Sequence, residues 1–512
     1  MCNFARNWRS ATAVQPFSPM NTEDLLSLMA AEFPHEPTPQ QREAVCRLAR
    51  FVASPREEAA FVLRGYAGTG KTSLVGALVR SLARLGRETV LLAPTGRAAK
   101  VFSAHAGRPA YTIHRVIYRQ QTFSGEGTRF SLGYNARRGA LFIVDEASMV
   151  ARGGGGLFGS GLLLDDLVQF VYAGGGCRLL LVGDTAQLPP VGEEESPALS
   201  VACLRGYGLE AEGMELTEVV RQSEDSDVLA GATRLRRLLA AGCEELPRVC
   251  GDARGEVRFL PGGELIEALV GAYTDYGTQE VIVVTRSNKR ANIYNQGIRA
   301  RIFDREEELT RGDLVMAVKN NYYWTEQLQR EMAAEEPGAV CPLPFIANGD
   351  GAEVVRVRGV HEQHGFRFAE ATLRFADYGD AELTCRVLLD TLASESPSLT
   401  AEQSRALYES VLADYADVPS KRERLKRVRE DAYYNAVQIK YAYAVTCHKA
   451  QGGQWSRVFV DQGYLTPEMA GAPYLRWLYT AFTRTTDRLY LVNWPEEQRE
   501  APAAGTAGEE EA

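Results

Sequence analysis

The run Ala60–Val75, AFVLRGYAGTGKTSLV, decides how the chain is read. Phe61, Val62 and Leu63 make a short apolar run suited to a buried strand. Gly65 to Thr72 then spell G-x-x-x-x-G-K-[ST], and a helical pattern follows. Gly65, Gly68 and Gly70 let the backbone around Thr69 curl so that successive N–H groups point inward at a phosphate chain. The helix beginning near Lys71 adds its positive end. Lys71 is placed for the β- and γ-phosphates, and Thr72 offers its hydroxyl to Mg²⁺. The bland alternative is a glycine-rich turn, but strand, spacing, lysine and threonine all agree. The stretch predicts a nucleoside triphosphate site.

Upstream, PTPQQREAVCRLARFV reads as a helix with Thr38 as N-cap and Pro39 at its first position. Gln41, just ahead of the phosphate loop, carries an amide that can donate and accept at once, as an adenine edge requires. Downstream, ETVLLAPTGRAAKVF gives a second strand, Thr89–Ala93, then a Pro-Thr-Gly turn and a helix. His114 follows in an alternating stretch, where a single histidine is more often structural than functional. Beyond Tyr118, a Ser-Gly-Glu-Gly centre flanked by Thr122, Phe123, Thr128 and Phe130 predicts a protruding β-hairpin. Its alternative is a surface hairpin with the aromatics packed on the body.

ALFIVDEASMV reads as a buried parallel strand whose C-terminal end carries Asp145 and Glu146 into a ligand crevice. Asp145 suits the Mg²⁺ shell and Glu146 the attacking water. CRLLLVGDTAQLPPVG brings Asp184 and Gln187 to the same crevice, where a γ-phosphate sensor belongs. Gly153–Gly156 marks a loop expected to move. Arg221 precedes a further helix; it either pairs with a carboxylate or meets the γ-phosphate, where it is worth roughly 10³–10⁵ in rate.

A second α/β unit begins around Gly255 with ELIEALVGAYTDYG, EVIVVTRSN and KRANIYNQGIRARIF. After Glu308, DLVMAVKN, GAEVVRVRGV, FRFAEATLRF and AELTCRVLL alternate between Gly and Asp turns, as in a small β-barrel. Thr400–Tyr434 is helical and charged; SKRERLKRVRED reads as a solvated helix face, with nucleic-acid contact the lesser reading. QIKYAYAVTCHKAQGGQW, RVFVD and a helix ending near Arg484 resume the α/β pattern. The expected division is an extension at 1–36, a first α/β unit at 37–254 with a hairpin insert at about 119–139, and a second unit at 255–308 and 435–494. The second unit is interrupted by 309–434 and followed by an acidic, disordered tail at 495–512.

A formal charge of −9 argues only mildly against a polyanion partner, because six acids and one arginine sit in the last eighteen residues. The rest is near balance, which leaves room for a basic track confined to a groove. No apolar run reaches membrane-spanning length, and MCNFARNWRSATAVQPFSPM lacks the apolar core of a secretory signal. It reads as an extension ahead of Met20. Nine cysteines without a C-x-x-C pair read as reduced thiols of a cytoplasmic protein.

The order of these blocks resembles the superfamily 1B DNA helicases of the RecD-like and Dda-like group, from about Thr38 to Trp494. PTPQQ looks like the Q-motif, GYAGTGKT motif I, APTGRAAK motif Ia and TIHR motif Ib. VDEAS looks like motif II, VGDTAQLPPVG motif III, LTEVVRQ motif IV, VTCHKAQGGQW motif V and LYTAFTR motif VI. The resemblance implies two RecA-like P-loop domains with parallel sheets, a β-hairpin insert in the first, and an SH3-like barrel plus helical insert in the second. It implies that ATP and Mg²⁺ are used, with Gln41 on adenine, Lys71, Thr72 and Asp145 on phosphate and metal, and Glu146 as general base. Gln187 becomes the γ-phosphate sensor, and Arg221 and Arg484 the two arginine fingers.

Pro94, Thr95, His114, Pro189, Thr446 and His448 match positions along a single-strand track. The hairpin with Phe123 and Phe130 matches a strand-splitting pin. Pro37 stands where the family often has leucine, and Gln454 where many relatives have a glutamate near the ribose. The implied partners are single-stranded and forked duplex DNA, with replication or recombination proteins and no membrane. The implied activity is ATP-dependent unwinding with 5′→3′ movement, for repair, recombination or replication. An RNA helicase and a P-loop ATPase that remodels protein–nucleic acid complexes are the alternatives.

Overall fold

The protein is described by a computed structural model that covers residues 21–33, 36–120, 130–153, 161–218, 226–252, 255–339, 341–343 and 345–500. The first sheet is built from apolar runs. Its strands are β1 (Ala59–Gly65), β2 (Thr89–Ala93) and β3 (Ala110–Thr112), then, after the pair β4 (Tyr118–Gln120) and β5 (Phe130–Leu132), β6 (Leu141–Val144), β7 (Arg178–Gly183) and β8 (Glu210–Leu216). They lie in the order β3-β2-β6-β7-β1-β8, all parallel. Both faces are covered: Phe61, Leu63 and Ile143 point into one core, and Val62, Phe142 and Leu181 into the other. Such two-sided burial is why these strands read as unbroken apolar runs rather than alternating ones.

β4 and β5 pair antiparallel, Tyr118 opposite Leu132 and Gln120 opposite Phe130, as a hairpin requires. Its tip, with Phe123, lies outside the described residues, as do 154–160 of the glycine-rich loop and Arg221.

The later strands are β9 (Val249–Cys250), β10 (Val257–Leu260), β11 (Val281–Thr285), β12 (Leu314–Ala317), β13 (Gly351–Gln363), β14 (Phe366–Phe375), β15 (Ala381–Leu388), β16 (Val437–Tyr441), β17 (Ala444–Thr446), β18 (Trp455–Asp461), β19 (Thr485–Val492) and β20 (Arg499–Glu500). A second parallel sheet has the order β10-β19-β18-β11-β17, and β12 to β16 close a barrel. The helical stretch expected after Thr400 forms the helix Ala401–Asp414, opened by a Thr400–Gln403 capping box, and the helix Lys421–Arg429, capped by Ser420.

The packing departs from the sequence reading in four places. Thr22–Glu32, within the expected extension, is a helix capped by Asn21 whose Leu25 and Met29, one turn apart, are fully buried on the first lobe. The helix Asp227–Ala240 sends Val228, Ala232 and Leu235 into the core of the second lobe with Trp477 and Phe482, so that lobe begins before residue 255. Val437–Tyr441, read as resuming the second α/β unit, closes the barrel between β12 and β15 instead. At the other end, Arg499 and Glu500 pair with Val249 and Cys250, so the first residues of the acidic stretch belong to the folded body. Among the described residues no helix is long and apolar enough to cross a membrane.

The barrel docks on the first lobe. Lys100, on the helix Gly96–Ala106, donates to Ala376 O (3.0 Å) and to Asp377 Oδ1 (3.2 Å). The same helix starts at Gly96, where a Cβ would run into Asp350 Oδ1 and Tyr378 Oη. Asp350 is 1% exposed and accepts from Ala347 N (2.7 Å) and Tyr378 Oη (3.0 Å), so it cannot easily retreat. Gly96→Ala therefore sets a helix-propensity gain below about 1 kcal/mol against an overpacking cost of about 1–3 kcal/mol. The clash wins: urea unfolding should show the variant destabilised, with the barrel–lobe junction more open to protease.

Candidate nucleotide site and strand channel

The phosphate loop follows β1 and ends where the helix Lys71–Arg84 begins. Gly68 (φ 76°) and Gly70 (φ 78°) take left-handed conformations that a side chain would oppose. Gly65 has no room for one, since a Cβ there would lie 2.8 Å from Thr69 Oγ1. Lys71 Nζ is held across the loop by the carbonyls of Gly65 (2.7 Å) and Tyr66 (2.8 Å), and Thr72 sits beside it in the first helical turn. Gln41, 2% exposed, fastens the loop from behind. Its Oε1 accepts from Thr38 N (3.0 Å) in a capping box, and its Nε2 donates to Thr69 O (3.0 Å). Gln40, unremarked in the sequence, accepts from Thr217 N (2.8 Å) and Glu218 N (3.0 Å) and ties the same helix to the end of β8.

Two buried carboxylates, Asp145 and Asp184, feel that single lysine, and the Glu146 charge acts on both of them. Asp145, at the end of β6, is pushed well above the usual carboxylate range by burial and by the Glu146 charge, while Lys71 pulls it back. Asp184, at the end of β7, is also raised by burial and lowered by Lys71. Glu146 stands in a left-handed backbone conformation (φ 50°, ψ 37°), which costs a non-glycine residue roughly 1–2 kcal/mol. Strain of this kind persists where surrounding structure imposes it, and it collects at functional sites. The Thr72 hydroxyl and the Asp145 carboxylate are hard oxygen donors facing a surplus of negative charge, a set that suits Mg²⁺.

The loop after β7 links this pocket to the second lobe. Tyr479, on the helix Ala472–Phe482, is 1% exposed; its hydroxyl donates to Asp184 Oδ2 (2.6 Å) and accepts from Ala67 N of the phosphate loop (2.9 Å). Arg476 donates to Thr185 O (2.9 Å), Thr480 Oγ1 accepts from Leu188 N (2.9 Å), and Gln451 Nε2 donates to Leu188 O (2.8 Å). Gln187 is buried beside them, its Oε1 without a hydrogen-bond partner among the described residues. From the Asp227–Ala240 helix, Arg236 lies 4.2 Å above the Tyr66 ring. Sequence reasoning missed Tyr479. Its signal was a phenol on the buried face of an apolar helix, which must find a polar partner somewhere.

Arg484, 3% exposed, bonds Thr480 O (3.0 Å), Gly453 O (3.1 Å) and Thr483 Oγ1 (3.0 Å), and has no carboxylate partner among the described residues. Gln454 stands apart from the phosphate loop: its carbonyl accepts from Arg97 of the first lobe (2.9 Å), whose guanidinium lies 4.1 Å above Trp455.

Arg97 and Trp455 are part of a larger feature, a channel of about 680 Å³ walled by both lobes and the barrel. Pro94, Thr95, His114 and His448 all line it. Thr446 immediately precedes the short helix that carries His448, and Pro189 immediately precedes the wall residues Pro190 and Val191. Lys100, Lys449 and Arg374 bring positive charge, Phe345 and Trp455 bring aromatic faces, and Glu280, Glu353 and Asp377 offset part of the charge. Burial drives His114 down to about 4 and lowers His448 too, so both enter the wall as neutral rings at neutral pH.

Two family models match separate parts of the chain. The family model described as AAA domain matches residues 36–241, and that described as UvrD-like helicase C-terminal domain matches 441–492. The ATP-dependent RecD2 DNA helicase of Deinococcus radiodurans is 36% identical over 172 residues, which are 33% of this chain and 21% of that protein. This chain thus spans about a fifth of the RecD2 relative's length. The ATP-dependent DNA helicase dda of Enterobacteria phage T4 is 24% identical over 416 residues, covering 78% of this chain and 86% of that one. Among solved structures, Pif1 helicase from Bacteroides in complex with ADP-AlF3 and ssDNA has 14% identity and a TM-score of 0.43, covering 92% of this chain and 95% of that chain.

The left-handed backbone at Glu146 is directly measurable. Glu146→Gly and Glu146→Ala remove the same carboxylate and differ in what the backbone must endure. Glu146→Gly should unfold at higher urea than Glu146→Ala, by about 1 kcal/mol; equal midpoints would mean that the strain is absent.

Proposed function

We propose that this chain, which belongs with the superfamily 1B helicases of RecD-like and Dda-like type, is an ATP-driven motor that moves along single-stranded DNA and separates the duplex ahead. One observation carries the reading. The segment Asp184–Val191 leaves the phosphate pocket, bonds to the second lobe through Tyr479, Thr480 and Gln451, and ends in the channel wall at Pro190 and Val191. A change at the phosphates is thereby connected by covalent backbone to a change in the grip on a strand.

Lys71 and the loop amides hold the triphosphate, and Thr72 with Asp145 holds Mg²⁺. The metal, when bound, supplies positive charge to the phosphate oxygens. Glu146 orients the attacking water and takes its proton. Arg484 and Arg221 neutralise charge as it shifts to the leaving group; among the described residues Arg484 bonds carbonyls and no carboxylate competes for it. Gln41 braces the phosphate loop from behind through Thr69. Drawing the arginines toward the phosphates closes the lobes, and hydrolysis lets them part.

Along the channel, Arg97, Lys100 and Lys449 meet backbone phosphates, and His114, Phe345 and Trp455 offer stacking faces. Such a grip is strong but almost blind to sequence. The β4–β5 hairpin is the wedge, with Phe123 and Phe130 at the junction, and movement is 5′→3′. Both assignments follow the family resemblance. The protein works in the cytoplasm in DNA repair, recombination or replication, alongside proteins of those processes.

Single-stranded DNA should stimulate ATP turnover, and Lys71→Ala should lower that turnover by at least about 10²–10³-fold while circular dichroism stays unchanged. Duplexes with a 5′ single-stranded tail should be unwound and those with a 3′ tail should not. Unwinding only from 3′ tails would overturn the direction, and turnover indifferent to DNA would overturn the motor.

A further inference from the structure

Among the side chains between the two lobes, Tyr479 holds a singular position. It belongs to the second lobe, yet both of its hydrogen bonds end in the first: one on the phosphate-loop amide of Ala67 (2.9 Å), the other on Asp184 (2.6 Å). Phosphate loops work by presenting such amides to an anion. Here a phenolic oxygen occupies one of them. Asp184 completes its shell with Ala186 N (2.9 Å) at the head of the segment that reaches the channel. Arg484 lies five residues further along the same chain, so a shift of this helix moves the phenol and the guanidinium together.

We infer that Tyr479 is a positioning residue that couples strand binding to the phosphate loop. Its hydroxyl holds the Ala67 amide and Asp184 in one arrangement, and displacement of the helix when the channel fills releases that amide to the phosphates. A phenylalanine would fill the same volume, so packing alone does not call for the hydroxyl. The alternative is a core tyrosine satisfied by whatever polar atoms are close. That role would be felt as lost stability rather than as lost communication.

The inference rests on the motor reading above, and Tyr479→Phe in the full chain separates the two. Steady-state ATP turnover would be measured with and without a thymidine oligonucleotide. In the variant the Ala67 amide is free without DNA, so unstimulated kcat/KM for ATP should rise toward the stimulated level, while the stimulation that DNA still adds falls about tenfold, an ordinary size for coupling between sites. Stimulation equal to wild type would overturn the inference. So would a parallel fall in kcat with and without DNA, which would make the hydroxyl part of the pocket alone.

Removing the hydroxyl also strips a buried carboxylate of a donor, so stability needs its own control. The double variant Tyr479→Phe with Asp184→Asn no longer buries that charge. It should regain any lost melting temperature without regaining stimulation; recovery of both would assign Tyr479 a structural role only. If wild type itself shows no stimulation by DNA, the motor reading fails and takes this inference with it.

Discussion

Four hydrogen bonds between the segment after β7 and the second lobe hold the molecule's logic together. β7 is an interior strand of the first sheet, fixed by neighbours on both sides. Its continuation from Asp184 to Leu188 is nevertheless bonded to a helix of the other lobe. Rigid backbone therefore passes from one lobe's core to the other lobe's surface without a flexible joint between them. Ala186 and Leu188 are counted in the hydrophobic core of the second lobe, although their chain emerges from the first. A relative movement of the lobes has to pull on this segment, and the segment begins at a carboxylate linked to the phosphate loop through the Tyr479 hydroxyl.

The barrel adds a third wall to what two lobes alone would leave as an open groove. Lys100 and Gly96 seat it on the helix that follows β2, next to Pro94 and Thr95. Glycine at position 96 is required by proximity, because carboxylate and phenol atoms of the barrel occupy the space of a side chain. The channel therefore combines positive charge from both lobes and the barrel with aromatic surface from the second lobe and the inserted domain. That composition suits a flexible polyanion with stacking faces.

Much of this was legible in the sequence, for identifiable reasons. The phosphate loop, Asp145 with Glu146, and Asp184 with Gln187 all follow unbroken apolar runs, and a buried parallel strand has only one end at which such groups serve a ligand. The barrel strands announced themselves by alternation. What stayed hidden depended on distant packing. Nothing local tells Val437–Tyr441 that its neighbours are β12 and β15 rather than the second sheet. Leu25 and Met29 belong to one short apolar run, LLSLMAAEF, which has no local signal for what it packs against. Tyr479 sits in an apolar helix whose periodicity predicts burial, but its partners lie 295 and 412 residues earlier in the chain. The left-handed backbone at Glu146 has no composition signal at all, since glutamate gives no reason to expect it.

The pairing of β20 with β9 has a mechanical meaning. Arg499 and Glu500 run parallel beside Val249 and Cys250, and Arg234 grips Glu500 across them. Tension applied through Glu500 would be borne first by this two-stranded clasp and the Asp227–Ala240 helix beneath it, in shear along the strands. The interface between the lobes would be spared. A bead or surface tether attached beyond that clasp would hold the second lobe as a rigid handle, leaving the first lobe free to open and shut under load.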